Sequence, residues 1–280
     1  MPFKLYNALL RCNNFLPIKG RETQKLDGSV MNMSFHPETD TYIMGCSEGS
    51  IYMYNASSHE LKRLKKCEKQ VPTATFVDSS HYVFSSLESK KLALGTLEND
   101  NLLSFDSHNS DIFCLQNLSK RNLLLSGVIG GSVMIYRTDK LPQLRIFCSA
   151  RAHLPGMLVF TAQSITINGK EYVITAGQEG AVKIWHLIKG RMRLLRVIWT
   201  EEIPYSVVYL EYYRRIAIAS ECNYVRFFSL PCGRLESTVY LSEDDTHSLF
   251  LMKEKNMIGV MSYNDSSIEF IQLGGAQKGC

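Results

Sequence analysis

The 280-residue sequence contains eight cysteines and not one C-x-x-C pair. Zinc ribbons and dithiol redox motifs need cysteines in close pairs, so the scattered thiols are expected to be reduced and structural. Cys46, Cys114 and Cys148 lie inside apolar, strand-like runs, where a free thiol behaves as a small hydrophobe. No stretch approaches the about eighteen consecutive apolar residues of a membrane-spanning helix. The opening residues, Met1-Pro2-Phe3-Lys4-Leu5-Tyr6, lack the long apolar segment and small-residue cleavage site of a secretory leader. These absences predict a soluble protein of the cytoplasm and/or nucleus with no membrane partner. The charge excess is also small, 31 Lys and Arg against 27 Asp and Glu, which alone does not argue for nucleic-acid binding.

Catalytic patterns are missing too. Gly127-Val128-Ile129-Gly130-Gly131 lacks the Lys and the strand-to-helix setting of a phosphate-binding loop. There is no H-E-x-x-H and no close cluster of His, Cys and carboxylates. The seven histidines fall mostly at predicted loop edges, where a lone His is expected to be a solvated turn residue. The sequence therefore predicts no catalytic residues, no cofactor, no metal site and no small-molecule substrate.

What is present is a repeated phrase. Ala176 to Leu187 reads A-G-Q-E-G-A-V-K-I-W-H-L: a short apolar run, a glycine-bracketed turn, then Val182 and Ile184 alternating with Trp185 at the close. That is a β-hairpin pattern with glycine where positive φ is needed. Cys46 to Asn55 and Gly127 to Arg137 repeat it. The aligned closing position falls at Tyr54, Gly95, Tyr136, Trp185, Phe228 and Ile271, in steps of 41, 41, 49, 43 and 43 residues. In each unit an alternating strand precedes the hairpin's continuous apolar strand, and a polar outer strand such as Leu61–Lys65 or Arg193–Trp199 follows it. A period of about 40–45 residues with four short strands is the pattern of propeller blades.

Over residues 29–272 the chain resembles the WD-repeat β-propeller family, with Gln178-Glu179-Gly180-Ala181-Val182-Lys183-Ile184-Trp185 as its best single match. The resemblance is divergent. The family's Trp-Asp pair appears as Tyr54-Asn55, Gly95-Thr96, Tyr136-Arg137, Trp185-His186, Phe228-Ser229 and Ile271-Gln272. Its Gly-His signature is approached only by Ser107-His108 and Ala152-His153. The family's Asp–His–Ser/Thr–Trp hydrogen-bond network is accordingly expected to be mostly absent, with Trp185 a packing aromatic at a blade edge. The expected fold is all-β, a single propeller of about six four-stranded blades over 29–273, preceded by a clasp strand and linker (1–28) that closes the ring and followed by a short tail (274–280).

In such a disc the outer-to-inner loops and the second-to-third-strand loops share one face. There the sequence places Glu179, Glu201, Glu202, Glu243, Asp244 and Asp245, an expected acidic, protein-binding face. The opposite face collects Lys120, Arg121, Arg214, Arg215, Lys253 and Lys255, a basic underside. A propeller hosts unrelated roles, so the fold does not name the function. What the resemblance implies is a non-catalytic scaffold, a subunit or adaptor of an intracellular multiprotein complex that binds a peptide or helical segment of its partners. The alternative is an RNA-associated propeller in RNA processing or ribosome assembly, using the basic underside and Tyr212 and Tyr213.

Overall fold

The computed structural model describes residues 26–28, 30–99, 101–106, 108–118, 122–241, 246–252, 256–262 and 268–273. The strands form six successive antiparallel sheets, the blades, each ordered in sequence from the axis outwards. Blade one is β1 (Val30–His36), β2 (Thr41–Cys46), β3 (Ser50–Asn55) and β4 (Glu60–Lys66). Blade two is β5 (Thr73–Phe76), β6 (His81–Ser85), β7 (Lys91–Thr96) and β8 (Leu102–Asp106). Blade three is β9 (Ile112–Leu118), β10 (Leu123–Val128), β11 (Ser132–Arg137) and β12 (Arg145–Arg151). Blade four is β13 (Val159–Ile167), β14 (Lys170–Gly177), β15 (Ala181–Ile188) and β16 (Arg191–Trp199). Blade five is β17 (Pro204–Leu210), β18 (Arg215–Ser220), β19 (Tyr224–Ser229) and β20 (Leu235–Tyr240). Blade six shows β21 (Thr246–Met252), β22 (Met257–Ser262) and β23 (Ile268–Gln272), three strands among the described residues. The clasp expected within residues 3–18 and the tail expected over 274–280 lie outside the described residues.

The burial of each strand follows from its place. A second strand is flanked in its own sheet and covered by neighbouring blades on both faces, so nothing in it alternates: every residue of β10 is buried, and β18 is buried from Ile216 to Ser220. Outer strands have water on one edge, and β4, β16 and β20 are largely exposed. The hairpin turns between second and third strands take positive φ at Gly49, Gly131 and Gly180 (85°, 80° and 79°), where a side chain would be strained. Gly95, the odd member of the aligned closing positions, has a steric cause. A Cβ there would collide with the Tyr82 ring of its cross-strand partner β6, so in blade two the aromatic comes from the second strand.

Successive blades are joined by apolar clusters and by a ladder near the axis. Ile43 and Ile51 of blade one pack with Phe76 and Tyr82 of blade two, and Ile174 and Ile184 of blade four with Ile216 and Phe228 of blade five. Truncating one such fully buried isoleucine to alanine costs about 2–5 kcal/mol through lost burial and the cavity left behind. Closer to the axis, Ser34 bonds to Thr75 (2.9 Å), the Leu115 amide donates to Thr73 (3.0 Å), and the Ser164 amide to Gln116 (2.7 Å). Gln163 donates to the Val207 carbonyl (2.8 Å), and the Leu249 amide donates to Ser206 (3.1 Å). These bonds span about one repeat and run from blade one to blade six, satisfying polar groups that the ring would otherwise bury unpaired.

Candidate interaction surfaces

The loop leading into β13 turns His153 inward. Trp185 Nε1 donates to Thr175 Oγ1 (3.0 Å), Thr175 Oγ1 lies 2.8 Å from His153 Nε2, and His153 Nδ1 lies 2.7 Å from Glu179 Oε1. An ionised carboxylate can only accept, which places the proton of the neutral histidine on Nδ1; Nε2 then accepts from the threonine hydroxyl, whose oxygen accepts in turn from the indole N–H. Lys183 Nζ closes the set, donating to Glu179 Oε1 (3.1 Å) and to the Ala152 carbonyl (2.8 Å). Burial pushes the His153 pKa down, against the opposing pull of Glu179. Burial works against ionising Glu179 as well, but its hydrogen bonds and the His153 and Lys183 contacts hold its carboxyl below the usual range. Trp185 is 7 % exposed and packs with residues of blades three and four. The network expected to be mostly absent is present in blade four, with Glu179 as its carboxylate. The expectation of solvated histidines fails here too, because His153 is buried; His36 is buried as well.

Other blades tie down the same loop with different chemistry. In blade three His108 Nε2 lies 2.9 Å from the Tyr136 hydroxyl and 3.1 Å from Ser126 Oγ. Burial lowers its pKa to about 4, so the ring is neutral as it shares these bonds with the two hydroxyls. In blade one Asp27 accepts from Ser50 (2.7 Å), Tyr52 (2.9 Å) and Lys66 (2.9 Å). Burial opposes its ionisation, yet these donors keep its pKa lowered. In blade five Glu202 accepts from the Tyr224 hydroxyl and pairs with Arg226 at 3.3 Å. Each is a latch: a polar side chain just before the innermost strand grips the second or third strand of its own blade. Sequence reasoning missed them because the gripping residue is Asp, His, His or Glu in turn, and its partners lie well along the chain.

These latches account for part of the acidic face. The Glu179 side chain is only 5 % exposed and serves the blade-four latch, so it does not present a charge to solvent. Glu201 is 79 % exposed but pairs with Arg226 at 3.3 Å, beside Glu202. Glu243, Asp244 and Asp245 lie outside the described residues, as do Lys120, Arg121, Lys253 and Lys255 of the basic face. Arg214 is exposed and donates to Asn168 (3.2 Å) across two blades. Arg215 pairs with Glu236 of β20. Tyr212 is 77 % exposed, whereas the hydroxyl of Tyr213 is tied to Asn256.

Along the axis the innermost strands enclose a cavity of about 640 Å³ that reaches the first-to-second-strand loops, at Pro37 and Glu38 of blade one and Asp78 and Ser79 of blade two. Met33 and Phe35 bring large, exposed apolar side chains to it. Its walls also carry the amides of Asn32, Gln116, Asn117 and Gln163, and the Asn117 Oδ1 is buried with no hydrogen-bond partner among the described residues. Phe160 of the cavity stacks edge-on between Phe113 and Tyr205, at 5.8 and 5.0 Å, an aromatic row across blades three to five. No group of three His, Cys, Asp or Glu that could hold a metal occurs among the described residues. Burial pushes the Cys46 and Cys114 thiols up to about 12, so both are protonated at neutral pH.

The fold is a β-propeller. Its likeness to the crystal structure of the Myceliophteria thermophila Cps50 (Swd1) β-propeller domain has a TM-score of 0.71 over 88% of this chain and 85% of that one, at 9% sequence identity. No protein-family model matches the chain, and no curated protein matches it in sequence.

Proposed function

We propose that this propeller is a non-catalytic interaction platform, a subunit or adaptor of a multiprotein complex, and that it receives a peptide segment of a partner at the axial opening bordered by the first-to-second-strand loops. The observation that carries this reading is the opening itself: exposed Met33 and Phe35 beside a cavity whose walls carry amide side chains and the Phe160 ring. Apolar anchors supply affinity and amides pair with a backbone, the chemistry that suits an extended peptide. The loops of the opposite face are held by latches, and the charged residues described there are largely engaged with one another. The likeness to a propeller domain of another protein is consistent with the fold and adds nothing about the partner. The sequence features described above, rather than the structure, motivate placing the platform in the cytoplasm or nucleus.

A photo-crosslinking residue such as benzoylphenylalanine at position 35 tests this in the full chain, with the same residue at position 201 as the comparison. The proposal expects a protein crosslink from position 35 and none from 201. A crosslink from 201 alone would move recognition to the acidic face. A second reading rests on Tyr212, fully presented beside Arg214: an aromatic and a cation that could stack and pair with single-stranded RNA. Binding to an RNA homopolymer that weakens steeply with salt and is lost on Tyr212→Ala would favour that reading.

A further inference from the structure

We infer that the outer edge of blade four is a second docking surface, one that takes an acidic protein segment with interspersed aliphatic residues. Strand β16 reads Arg-Met-Arg-Leu-Leu-Arg-Val-Ile-Trp and, at nine residues, is the longest of the outer strands. Buried Ile198 and half-buried Met192 pin it to the body of the ring. The remainder turns outward: Arg191, Arg193, Arg196, Leu194, Leu195 and Trp199 are all exposed, Trp199 by 66 %. Leu195 is the extra residue of a bulge, since Trp185 pairs with Leu194 and Ile184 with Arg196.

Two features separate this edge from an ordinary solvated one. An exposed edge strand is usually protected by charge, and β4 of blade one follows that rule. It carries Lys62, Arg63, Lys65 and Lys66, two of them paired with Asp27, and no exposed large apolar side chain. Strand β16 instead alternates its arginines with two leucines and a tryptophan. None of its three arginines has a carboxylate within ion-pair distance among the described residues, while β12 of the neighbouring blade adds Arg145 and Arg151 and no acid. The imbalance is regional: residues 112–200 contain twelve Lys and Arg against three Asp and Glu, in a chain that carries 31 against 27 overall.

Charge complementarity therefore selects an anionic occupant, and the exposed leucines select among anions. Aliphatic side chains give nucleic acid little to stack on, whereas an interface with proteins rewards an aromatic anchor and arginines set amid apolar contacts. The strip is one strand wide and, at about 3.3 Å per residue, about 30 Å long, the footprint of an extended segment rather than of a bilayer. The partner is thus a protein stretch whose Asp and Glu residues face Arg191, Arg193 and Arg196 while its aliphatic residues cover Leu194, Leu195 and Trp199.

The test uses the full chain and a short fluorescein-labelled peptide in which Glu and Asp alternate with Leu, read by anisotropy, beside polyglutamate, oligouridylate and phosphatidylserine vesicles. The expected result is preferential binding of the mixed peptide. Both Arg193→Glu with Arg196→Glu, and Leu195→Ser with Trp199→Ser, should weaken it by about tenfold or more without changing the melting temperature. Met33→Ser with Phe35→Ser should leave it unaltered, so failure here and failure of the axial reading are distinguishable. Polyglutamate binding as tightly as the mixed peptide, tighter binding of RNA or vesicles, or no binding at all would each overturn the proposal.

Discussion

The two ends of the ring are built by different rules. At the end bearing the second-to-third-strand turns, Asp27, His108, His153 and Glu202 reach across their blades to partners 18 to 28 residues distant or more. At the other end some loops are held within themselves, where Asp78 accepts from the amides of Ser80 and His81 (2.8 and 2.7 Å) and Thr39 bonds to His36 (3.1 Å), and others lean on the loop of a neighbouring blade, as Tyr213 on Asn256 and Arg214 on Asn168. The first end spends its polar side chains on holding the fold, and the second leaves Met33 and Phe35 exposed beside an open cavity. A divergent repeat can therefore keep a shared architectural device while its recognition surface lies elsewhere.

The largest expected effect falls on the latched end. Trp185→Ala removes a buried indole and its bond to Thr175 and should cost about 3–5 kcal/mol, measured by denaturant unfolding. Trp185→Phe keeps most of the volume and leaves the threonine without its donor, which should cost about 1–2 kcal/mol. If the alanine variant were as stable as the wild type, the blade-four latch would have no structural weight. Glu179→Gln comes next. It keeps an acceptor for His153 but leaves the partly buried Lys183 without its counter-charge, and a loss of about 1–3 kcal/mol is expected.

Acid should loosen the same end. His108 and His153 are held neutral by burial, with folded pKa values below the ordinary 6.5. The unfolded chain then binds protons that the folded chain refuses, so stability is full above about pH 6.5 and declines as the pH falls towards the folded value. For His108 that window runs from 6.5 to about 4. Melting temperature should drop across it, and His108→Gln should flatten the slope; an unchanged slope would mean the imidazole is not the responsible group. Tyr136→Phe, which removes one hydroxyl partner of His108, should cost about 0.5–1.5 kcal/mol. Glu201→Lys should move stability least, by under about 0.5 kcal/mol, since its ion pair is exposed.

How far the chain could be read without coordinates follows the same division. The hairpins of blades one, three and four announce themselves because glycine turns and alternating strands are local patterns, and Val30, Ile112 and Pro204 begin strands close to where the repeat places them. Trp185 was legible as a buried aromatic for the same reason. The latches were not, because His108 and His153 sit among loop residues and their meaning depends on Ser126 and Thr175 in another strand. Glu179 looked like one more surface charge, and only the turn of His153 into the blade makes it interior. Gly95 fits the aligned series by spacing alone, and the Tyr82 ring packed over it supplies the reason for a glycine there.

One paired measurement tests the division directly: recovery of bound proteins with the full-length chain, alongside its melting temperature, for Phe35→Ser and for Glu201→Lys. The account predicts that both variants melt with the wild type and that only Phe35→Ser loses its partners. Retention by Phe35→Ser together with loss by Glu201→Lys would contradict it, and would place recognition at the latched end.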